Sequence, residues 1–239
     1  MTHSISVEDV RYGYDRNRPV LNGLSFALPG GLHFLLGVNG AGKTTLFRLL
    51  LGALQPAAGR ISVQRSAESG VDAVGYLPQA FDFPGHVTVR QFVRYVGWLR
   101  GMRKTDAAAT RAIGLVGLAE RADVPLKKLS GGMLRRAGIA QAIVHEPAVL
   151  LLDEPTSGLD PAQRVDLRAL LTGLAESMCV LVSTHLMEDA QYAGGDVLIL
   201  HDGAIRFQGA TTEVEIGDQD SGTTGLSPLE QYFLRITRA

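Results

Sequence analysis

The sequence predicts an α/β fold with a mainly parallel sheet, interrupted by an inserted helical segment. Short apolar runs typical of buried strands alternate with segments in which apolar residues recur every three or four positions, the pattern of βαβ units. After Pro84 and Gly85 the pattern becomes helical and stays so to about residue 146. We therefore expect one domain over 1–239, with an α/β core from 1–80 and 147–239 and a helical insertion at 81–146.

The predicted elements follow from local patterns, taken in chain order. Apolar runs bounded by turn residues predict strands at 5–10, 20–28, 32–36, 149–152, 179–183 and 197–200. Helical spacing predicts helices that begin near residues 45, 88, 106 and 130, and two more at 161–174 and 186–192. Residues 217–239 are expected to form a mobile polar loop at 217–225 and then a C-terminal helix, whose start is marked by Ser227 and Glu230.

Composition argues against several classes of protein. The 23 basic and 24 acidic residues nearly balance, and no basic run exceeds two residues, so a nucleic-acid partner is not expected. Cys179 is the only cysteine, which excludes an intrachain disulfide and fits a reducing compartment. No segment approaches the roughly 20 apolar residues of a membrane span, and the first residues do not show the basic and apolar pattern of a secretory signal, so we expect none. We expect a cytoplasmic protein that serves any membrane process through a partner.

The segment Gly37–Thr44 matches the phosphate-loop pattern G-x-x-x-x-G-K-[ST], between a predicted strand and a predicted helix. Glycines permit positive φ and let backbone N–H groups converge on phosphate oxygens, and the helix adds the positive end of its dipole. Lys43 is expected to reach the outer phosphates and the Thr44 hydroxyl to ligate Mg²⁺. A glycine-rich turn that matches by chance is the alternative, and the flanking strand and helix argue against it. The expected nucleotide-binding residues here are Gly37, Asn39, Gly40, Gly42, Lys43, Thr44 and Thr45.

Two carboxylates, Asp153 and Glu154, follow the predicted buried strand at 149–152. Ligands bind at the carboxyl ends of parallel strands. We expect Asp153 to hold Mg²⁺ and Glu154 to polarise a water for attack on the γ-phosphate, with Pro155 keeping Glu154 extended. An acidic surface turn is the alternative, and the phosphate loop argues against it. The predicted core is thus that of a phosphate-loop NTPase whose type these two motifs leave open.

The segment Leu129–Met133, with the sequence LSGGM, resembles the signature motif of the ATP-binding cassette (ABC) family. Over about residues 5 to 210, other segments resemble the remaining family motifs in the family's order. The residues that the resemblance singles out are Tyr14 for stacking on adenine, Gln79 of the Q-loop, Asp160 of the D-loop and His185 of the switch. It also implies an antiparallel β-subdomain at the N-terminus.

The resemblance implies ATP and Mg²⁺ as ligands and assigns roles at the site. Nucleotide contacts are implied for Tyr14, Ser130, Gly131, Gly132 and Asp160 in addition to the phosphate loop. Metal binding is implied for Thr44, Asp153 and Gln79. A catalytic role is implied for Glu154, His185 and Gln79.

Several of these positions have an alternative interpretation. Tyr12 lies two residues before Tyr14 and is expected on the same strand face, so either ring could stack on adenine or be structural. Met133 replaces the glutamine that usually ends the signature, so one contact could be lost while the anion-binding groups remain. A lone histidine after an apolar strand is more often structural, and only the resemblance assigns His185 a function. Four aromatic residues of the insertion, Phe81, Phe83, Tyr95 and Trp98, are typical of a hydrophobic core. In the ABC family, however, the membrane partner docks in this region.

The resemblance also implies partners. In the family each ATP lies between the phosphate loop of one subunit and the signature of another, here Lys43 and Ser130, so we expect a homodimer or a heterodimer with a similar cassette. Segments 84–102 and 229–237 look like bacterial exporter subunits of the drug, antibiotic and lipid branch. That likeness implies a separate integral membrane permease, with this chain peripheral on the inner face of the plasma membrane. The alternative is a soluble ABC ATPase that acts on a protein assembly, such as an iron–sulfur scaffold.

Overall fold

The computed structural model describes residues 4–15, 18–64, 74–80, 83, 85–214 and 226–238. The loop predicted at 217–225 and the aromatic residue Phe81 lie outside the described residues. The described strands are β1 (Ile5–Tyr12), β2 (Leu21–Leu28), β3 (Gly31–Leu36), β4 (Ala58–Val63), β5 (Val74–Leu77), β6 (Val149–Asp153), β7 (Cys179–Thr184), β8 (Asp196–His201) and β9 (Ala204–Ala210). The described helices are α1 (Lys43–Leu50), α2 (Val89–Leu99), α3 (Thr105–Leu115), α4 (Gly131–Ile143), α5 (Pro161–Ala175), α6 (Met187–Ala193) and α7 (Pro228–Arg238).

The N-terminal strands form an antiparallel sheet in the order β2–β1–β4. Val7 pairs with Phe26 on one side and with Ile61 on the other. One face of this sheet is buried, which the alternation of apolar residues in β1 requires. The antiparallel N-terminal sheet is confirmed. The third strand, β4, was not predicted, because it begins with the exposed residues Ala58, Gly59 and Arg60 and carries little apolar signal.

The main sheet has the order β5–β6–β7–β3–β8–β9, and every neighbouring pair except β8–β9 is parallel. The mainly parallel α/β fold is therefore confirmed. Strands β6 and β7 are buried along their whole length, which explains their continuous apolar runs. The edge strands β5 and β9 were not predicted, since β5 has only four residues and β9 is only partly buried.

Local sequence explains where the helices begin. Thr88 and Gln91 form the capping box of α2, as the pattern predicts, and the Ser130 side chain caps α4. The Asp160 side chain caps α5, which has a proline in its first turn. Helices α2, α3 and α4 lie between β5 and β6 in the chain. None of the helices that the structure describes combines the length and the apolar character that spanning a bilayer takes.

The main sheet separates two apolar clusters, because successive residues of a strand face opposite sides. Leu150 and Leu152 of β6 belong to the cluster that contains the apolar faces of α2, α3, α4 and α5. Leu151 of the same strand belongs to the cluster that contains α1 and the N-terminal sheet. The carboxyl ends of β3, β6 and β7 therefore meet at one edge, where polar side chains from each strand come together.

Candidate active site

The loop from β3 to α1 carries the phosphate-loop residues, and two of its glycines are required by the backbone. Gly42 precedes α1 with φ +106°, a conformation that residues with a Cβ rarely adopt. A Cβ at Gly37 would lie 2.8 Å from the Leu200 carbonyl oxygen of β8. Without side chains at these positions the loop packs closely on the sheet, and the N-terminus of α1 is left accessible to an anion. The loop thus fits the triphosphate of a nucleotide.

Lys43 of α1 and Glu154, directly after β6, are two buried side chains that face each other. The Lys43 Nζ atom donates a hydrogen bond of 2.6 Å to the Gly37 carbonyl oxygen and lies 3.6 Å from Glu154 Oε1. Burial lowers the pKa of Lys43 below its ordinary value, and the Glu154 carboxylate opposes that shift. The ammonium group is thus fixed beside the loop, in position to bind an anion.

The carboxylate of Asp153, the last residue of β6, is buried and accepts hydrogen bonds from two hydroxyls. Thr44 Oγ1 donates to Asp153 Oδ2 at 3.1 Å, and Ser183 Oγ of β7 donates to Asp153 Oδ1. Mg²⁺ prefers oxygen ligands and is commonly held by one or two carboxylates together with substrate phosphates. The adjacent Thr44 hydroxyl and Asp153 carboxylate fit such a site. In the part of the chain that the structure describes, no cluster of three or more His, Cys, Asp or Glu side chains forms a metal cage of its own.

Glu154 is hydrogen-bonded to His185, which follows β7. His185 Nδ1 lies 2.8 Å from Glu154 Oε2, and the histidine side chain is half exposed. The expectation that Pro155 keeps Glu154 extended is wrong, because Glu154 has φ +49°. The chain turns sharply here, and the Glu154 N–H donates to both the carbonyl and the hydroxyl oxygen of Ser183, which fixes the turn. This turn directs the carboxylate toward Lys43 and His185.

These residues line one cleft of about 370 Å³. Tyr14 also lines it, with 61% of its surface exposed, and accepts a hydrogen bond of 3.3 Å from Arg48. The expectation that Tyr12 and Tyr14 share a strand face is wrong, since β1 ends at Tyr12. Tyr12 packs on the apolar cluster and meets Tyr14 edge to face at 5.2 Å. A hydrogen bond to Thr45 Oγ1 lowers the pKa of Tyr14. The described residues that line the cleft are Tyr14, Val20, Val38, Asn39, Gly40, Gly42, Lys43, Thr44, Thr45, Gln79, Asp153 and Glu154.

Gln79 follows β5 and is exposed at the rim of this cleft. Its backbone carbonyl accepts a hydrogen bond of 3.2 Å from Arg135 of α4, and the Pro78 carbonyl accepts another of 3.5 Å. Burial lowers the pKa of Arg135. The segment around Gln79 is therefore joined both to the cleft and to the helix that carries the signature.

The signature residues do not line this cleft. The Ser130 hydroxyl accepts a hydrogen bond of 3.3 Å from the Met133 N–H, and Gly131 and Gly132 form the first turn of α4. Ser130, Gly132 and Met133 line a separate pocket of about 630 Å³ between α4 and α5. Met133 is partly buried and packs against the main apolar cluster, so its side chain serves packing in this chain. Asp160 accepts a hydrogen bond of 2.8 Å from the Gln163 N–H as the cap of α5.

In the described part of the chain, sequence reasoning missed three residues whose side chains hydrogen-bond to candidate site residues. Ser183 bonds both Asp153 and Glu154, Arg48 bonds Tyr14, and Arg135 bonds the backbone of Gln79. Ser183 carries a usable signal, because a hydroxyl at the end of a fully buried strand needs a hydrogen-bonding partner. Arg48 and Arg135 carry no such signal in the sequence, since either could equally lie on a solvated helix face.

Comparison with known proteins shows the family to which the chain belongs. Residues 21–157, more than half of the chain, match the family model described as ABC transporter. The chain is 35% identical over 213 residues to an uncharacterized ABC transporter ATP-binding protein of Bacillus subtilis (strain 168), covering 88% of this chain and 72% of that protein. A Nod factor export ATP-binding protein of Burkholderia orbicola is 38% identical over 221 residues, covering 87% and 71%.

Solved structures of the family share the fold. CbiO1 of Clostridium perfringens, part of an ABC transporter complex, matches with a TM-score of 0.76 and 26% identity over 87% of this chain and 89% of that one. An ATP-bound bacterial exporter of the Atm1 family matches with a TM-score of 0.70 and 27% identity over 87% of this chain and 38% of that one. The phosphate loop, the adjacent carboxylates of Asp153 and Glu154 and these similarities lead to one conclusion: the chain belongs to the ABC transporter family as an ATP-binding protein, and membership of that family implies ATP hydrolysis.

Proposed function

We propose that this protein is the ATPase subunit of an exporter and powers a separate integral membrane permease. The observation that carries its role as one ATPase subunit of a dimer is the division of the candidate site. The cleft with Lys43, Asp153 and Glu154 has the groups for phosphate binding and hydrolysis, whereas Ser130 lies at a different pocket of the same chain. A site divided in this way is complete only when a second subunit supplies the other half.

The hydrolytic chemistry follows from the contacts of Glu154. Lys43 binds the outer phosphates, and Glu154 accepts a proton from the water that attacks the γ-phosphorus in line. The bond from that phosphorus to the β-phosphate oxygen breaks, which leaves ADP and inorganic phosphate. His185, at 2.8 Å, holds the Glu154 carboxylate in orientation. Thr44, Asp153 and Gln79 would hold Mg²⁺, which when bound neutralises charge on the phosphate oxygens.

Nucleotide binding is assigned to the loop and to one aromatic ring. The backbone of the phosphate loop receives the triphosphate, and Tyr14 stacks on adenine. The exposure of Tyr14 beside the loop supports this choice over Tyr12, whose ring packs on the apolar cluster. The loop residues that take part are Gly37, Asn39, Gly40, Gly42, Lys43, Thr44 and Thr45.

The second half of the site comes from the other subunit of a dimer. Ser130, Gly131 and Gly132 present a hydroxyl and backbone N–H groups at the start of α4, which suits the γ-phosphate of a nucleotide bound to the partner. Asp160, at the start of α5, faces the same interface. The dimer consists of two copies of this chain or of this chain and a similar cassette. ATP holds it closed, and loss of the γ-phosphate releases it.

Motion passes to the permease through the helical insertion at 81–146. Gln79 lines the cleft, and its backbone carbonyl is hydrogen-bonded to Arg135 of α4. A displacement of the nucleotide therefore moves Gln79 and, through this bond, the helical insertion. Tyr95 and Trp98 of α2 are stacked 6.1 Å apart and are 57% and 64% exposed, which supports a role for them as contact residues for the permease. The chain then lies on the cytoplasmic face of the membrane, where the permease and ATP are both available.

Export is favoured by the names of the relatives. Nod factor export ATP-binding proteins recur among them, and one structural neighbour is an exporter. The soluble alternative, an ATPase acting on an iron–sulfur scaffold, is not favoured, because these relatives belong to transporters.

Co-purification from native membranes tests the proposal. The tagged chain, extracted with detergent, is expected to bring down a polytopic membrane protein and to release phosphate from ATP in that complex. The Lys43→Ala variant should form the same complex without hydrolysis. A complex that forms without detergent and contains only soluble proteins would overturn the assignment to a permease.

A further inference from the structure

A network of buried polar side chains lies beside the cleft and is not used by the chemistry proposed above. Its centre is Asp189 of α6, whose side chain is 2% exposed. Asp189 Oδ2 accepts a hydrogen bond of 2.7 Å from the Thr156 hydroxyl, and Oδ1 accepts one of 3.2 Å from Arg168 of α5. Both carboxylate oxygens are thus paired, as a buried carboxylate requires.

The network joins the two loops that carry Glu154 and His185. Thr156 lies two residues after Glu154, and Asp189 lies four residues after His185. The Thr156–Asp189 bond therefore cross-links the same pair of loops as the bond of 2.8 Å between His185 and Glu154. On the other side, the Glu154 N–H bonds the Ser183 carbonyl at 3.1 Å. The hydrogen bond between His185 and Glu154 therefore lies between two others, the Thr156–Asp189 bond and the bond from the Glu154 N–H to Ser183.

The position of His185 depends on such a cross-link. Its side chain is half exposed, so packing alone does not fix the ring. Helix α6 has only seven residues and no side-chain cap at its N-terminus, so its position is set by tertiary contacts and not by its own hydrogen bonds. Asp189 lies in the first turn of α6 and is the buried polar contact between this helix and the loop after Glu154.

Arg168 pairs with the Asp189 carboxylate in this buried location. Its guanidinium donates to Asp189 and also lies over the Tyr192 ring, 5.3 Å from the ring centre. The arginine is therefore held by an ion pair and by a cation–π contact, and its charge offsets the cost of burying the carboxylate.

We propose that Asp189, acting through Thr156, is a positioning residue that sets the hydrogen bond between His185 and Glu154 for ATP hydrolysis, an inference that rests on the function proposed above. Neither Asp189 nor Thr156 lines the nucleotide cleft, so neither touches substrate. Their effect on the reaction is transmitted through the two loops that they join.

The test removes the cross-link while the buried charge pair stays intact. Thr156→Val deletes the hydroxyl in nearly the same volume, and Thr156→Ser keeps it. We expect kcat for ATP to fall on the order of ten- to hundredfold in Thr156→Val, since small misplacements of catalytic groups have effects of this size. KM for ATP should stay within about twofold, because the binding residues are untouched. Thr156→Ser should restore kcat to near the wild-type value.

A second comparison separates positioning from a general loss of stability. In a His185→Ala background, single-turnover phosphate release should not fall further when Thr156→Val is added, since the residue being positioned is already absent. Thr237→Val, which deletes a hydroxyl bond of 2.8 Å on α7, is the control for loss of stability and should leave kcat unchanged. Thermal unfolding of each variant is measured in parallel.

The outcomes distinguish this inference from the proposed function. An equal fall in kcat in both backgrounds, or wild-type turnover in Thr156→Val, would overturn the positioning role and leave the function standing. Wild-type turnover in His185→Ala would overturn the role proposed for His185, and the inference with it.

Discussion

Lys43 Nζ and Glu154 Oε1 lie 3.6 Å apart, and both side chains are buried. The pair places the cation that we propose to bind phosphate beside the carboxylate that we propose as the base. Burial nevertheless lowers the pKa of Lys43, so in the protein without nucleotide the ammonium is less favourable than in the unfolded chain. An incoming triphosphate adds negative charge beside Lys43 and so favours the charged form.

The lowered pKa of Lys43 predicts how stability depends on pH. Between the folded pKa and the ordinary value of about 10.4, the unfolded chain binds more protons than the folded one, so stability rises with pH. We expect the difference in free energy of unfolding, wild type minus Lys43→Met, to increase as the pH rises through the alkaline range toward the ordinary lysine pKa of about 10.4. Urea unfolding of both proteins at a series of pH values measures the difference. Lys127→Met, at an exposed position, is the control, and a difference that falls with pH contradicts the assignment.

Glu154→Gln should bind ATP, form a stable dimer and turn over slowly. Glutamine keeps the size of the side chain but cannot accept a proton from water, so turnover should fall by about 10²- to 10⁴-fold. Phosphate release gives the rate, and size-exclusion chromatography with ATP gives the dimer. Lys43→Ala should instead bind ATP poorly. Glu146→Gln, in an exposed pair with Arg111, is the matched control, and wild-type turnover in Glu154→Gln would show that another group is the base.

Ser183→Ala should lower both stability and turnover. The Ser183 hydroxyl donates to Asp153 and accepts from the Glu154 N–H, so its loss leaves a buried carboxylate oxygen short of a donor. We expect a loss of about 1–3 kcal/mol in the free energy of unfolding. Ser177→Ala removes an exposed hydroxyl that donates to the Leu174 carbonyl and should change stability much less. Equal losses in the two variants would mean that the Ser183 bonds contribute nothing specific.

The Cys179 thiol should react only when the protein unfolds. Cys179 is the first residue of β7 and is fully buried, and burial raises its pKa to about 12. Little thiolate therefore forms at neutral pH, and reagent has no access to it. Labelling with an aromatic disulfide should be slow in buffer and fast in denaturant, and its rate should report opening of the sheet. Rapid labelling of the folded protein would contradict the burial of β7.

The phosphate loop, the signature turn and the helix starts were predictable because each is encoded by neighbouring residues. Gly37–Thr44 lies between a strand and a helix, and Ser130 caps α4 through a bond to the residue three positions later. The buried strands β6 and β7 were also clear, since both faces are apolar. The edge strands β5 and β9 were missed because partial burial leaves a weak pattern.

The amino-acid order alone was enough to predict the phosphate loop as a nucleotide-binding element, since a glycine turn between a buried strand and a helix has few other uses. It did not reveal how those elements meet. The bond between Thr44 and Asp153 spans 109 residues and exists because β3 and β6 flank β7 in the main sheet. Three further features arise in the same way: the positive φ of Glu154, the position of Tyr14 at the cleft and the Thr156–Asp189 cross-link. Such contacts depend on sheet order and on burial, and these are properties of the folded chain as a whole.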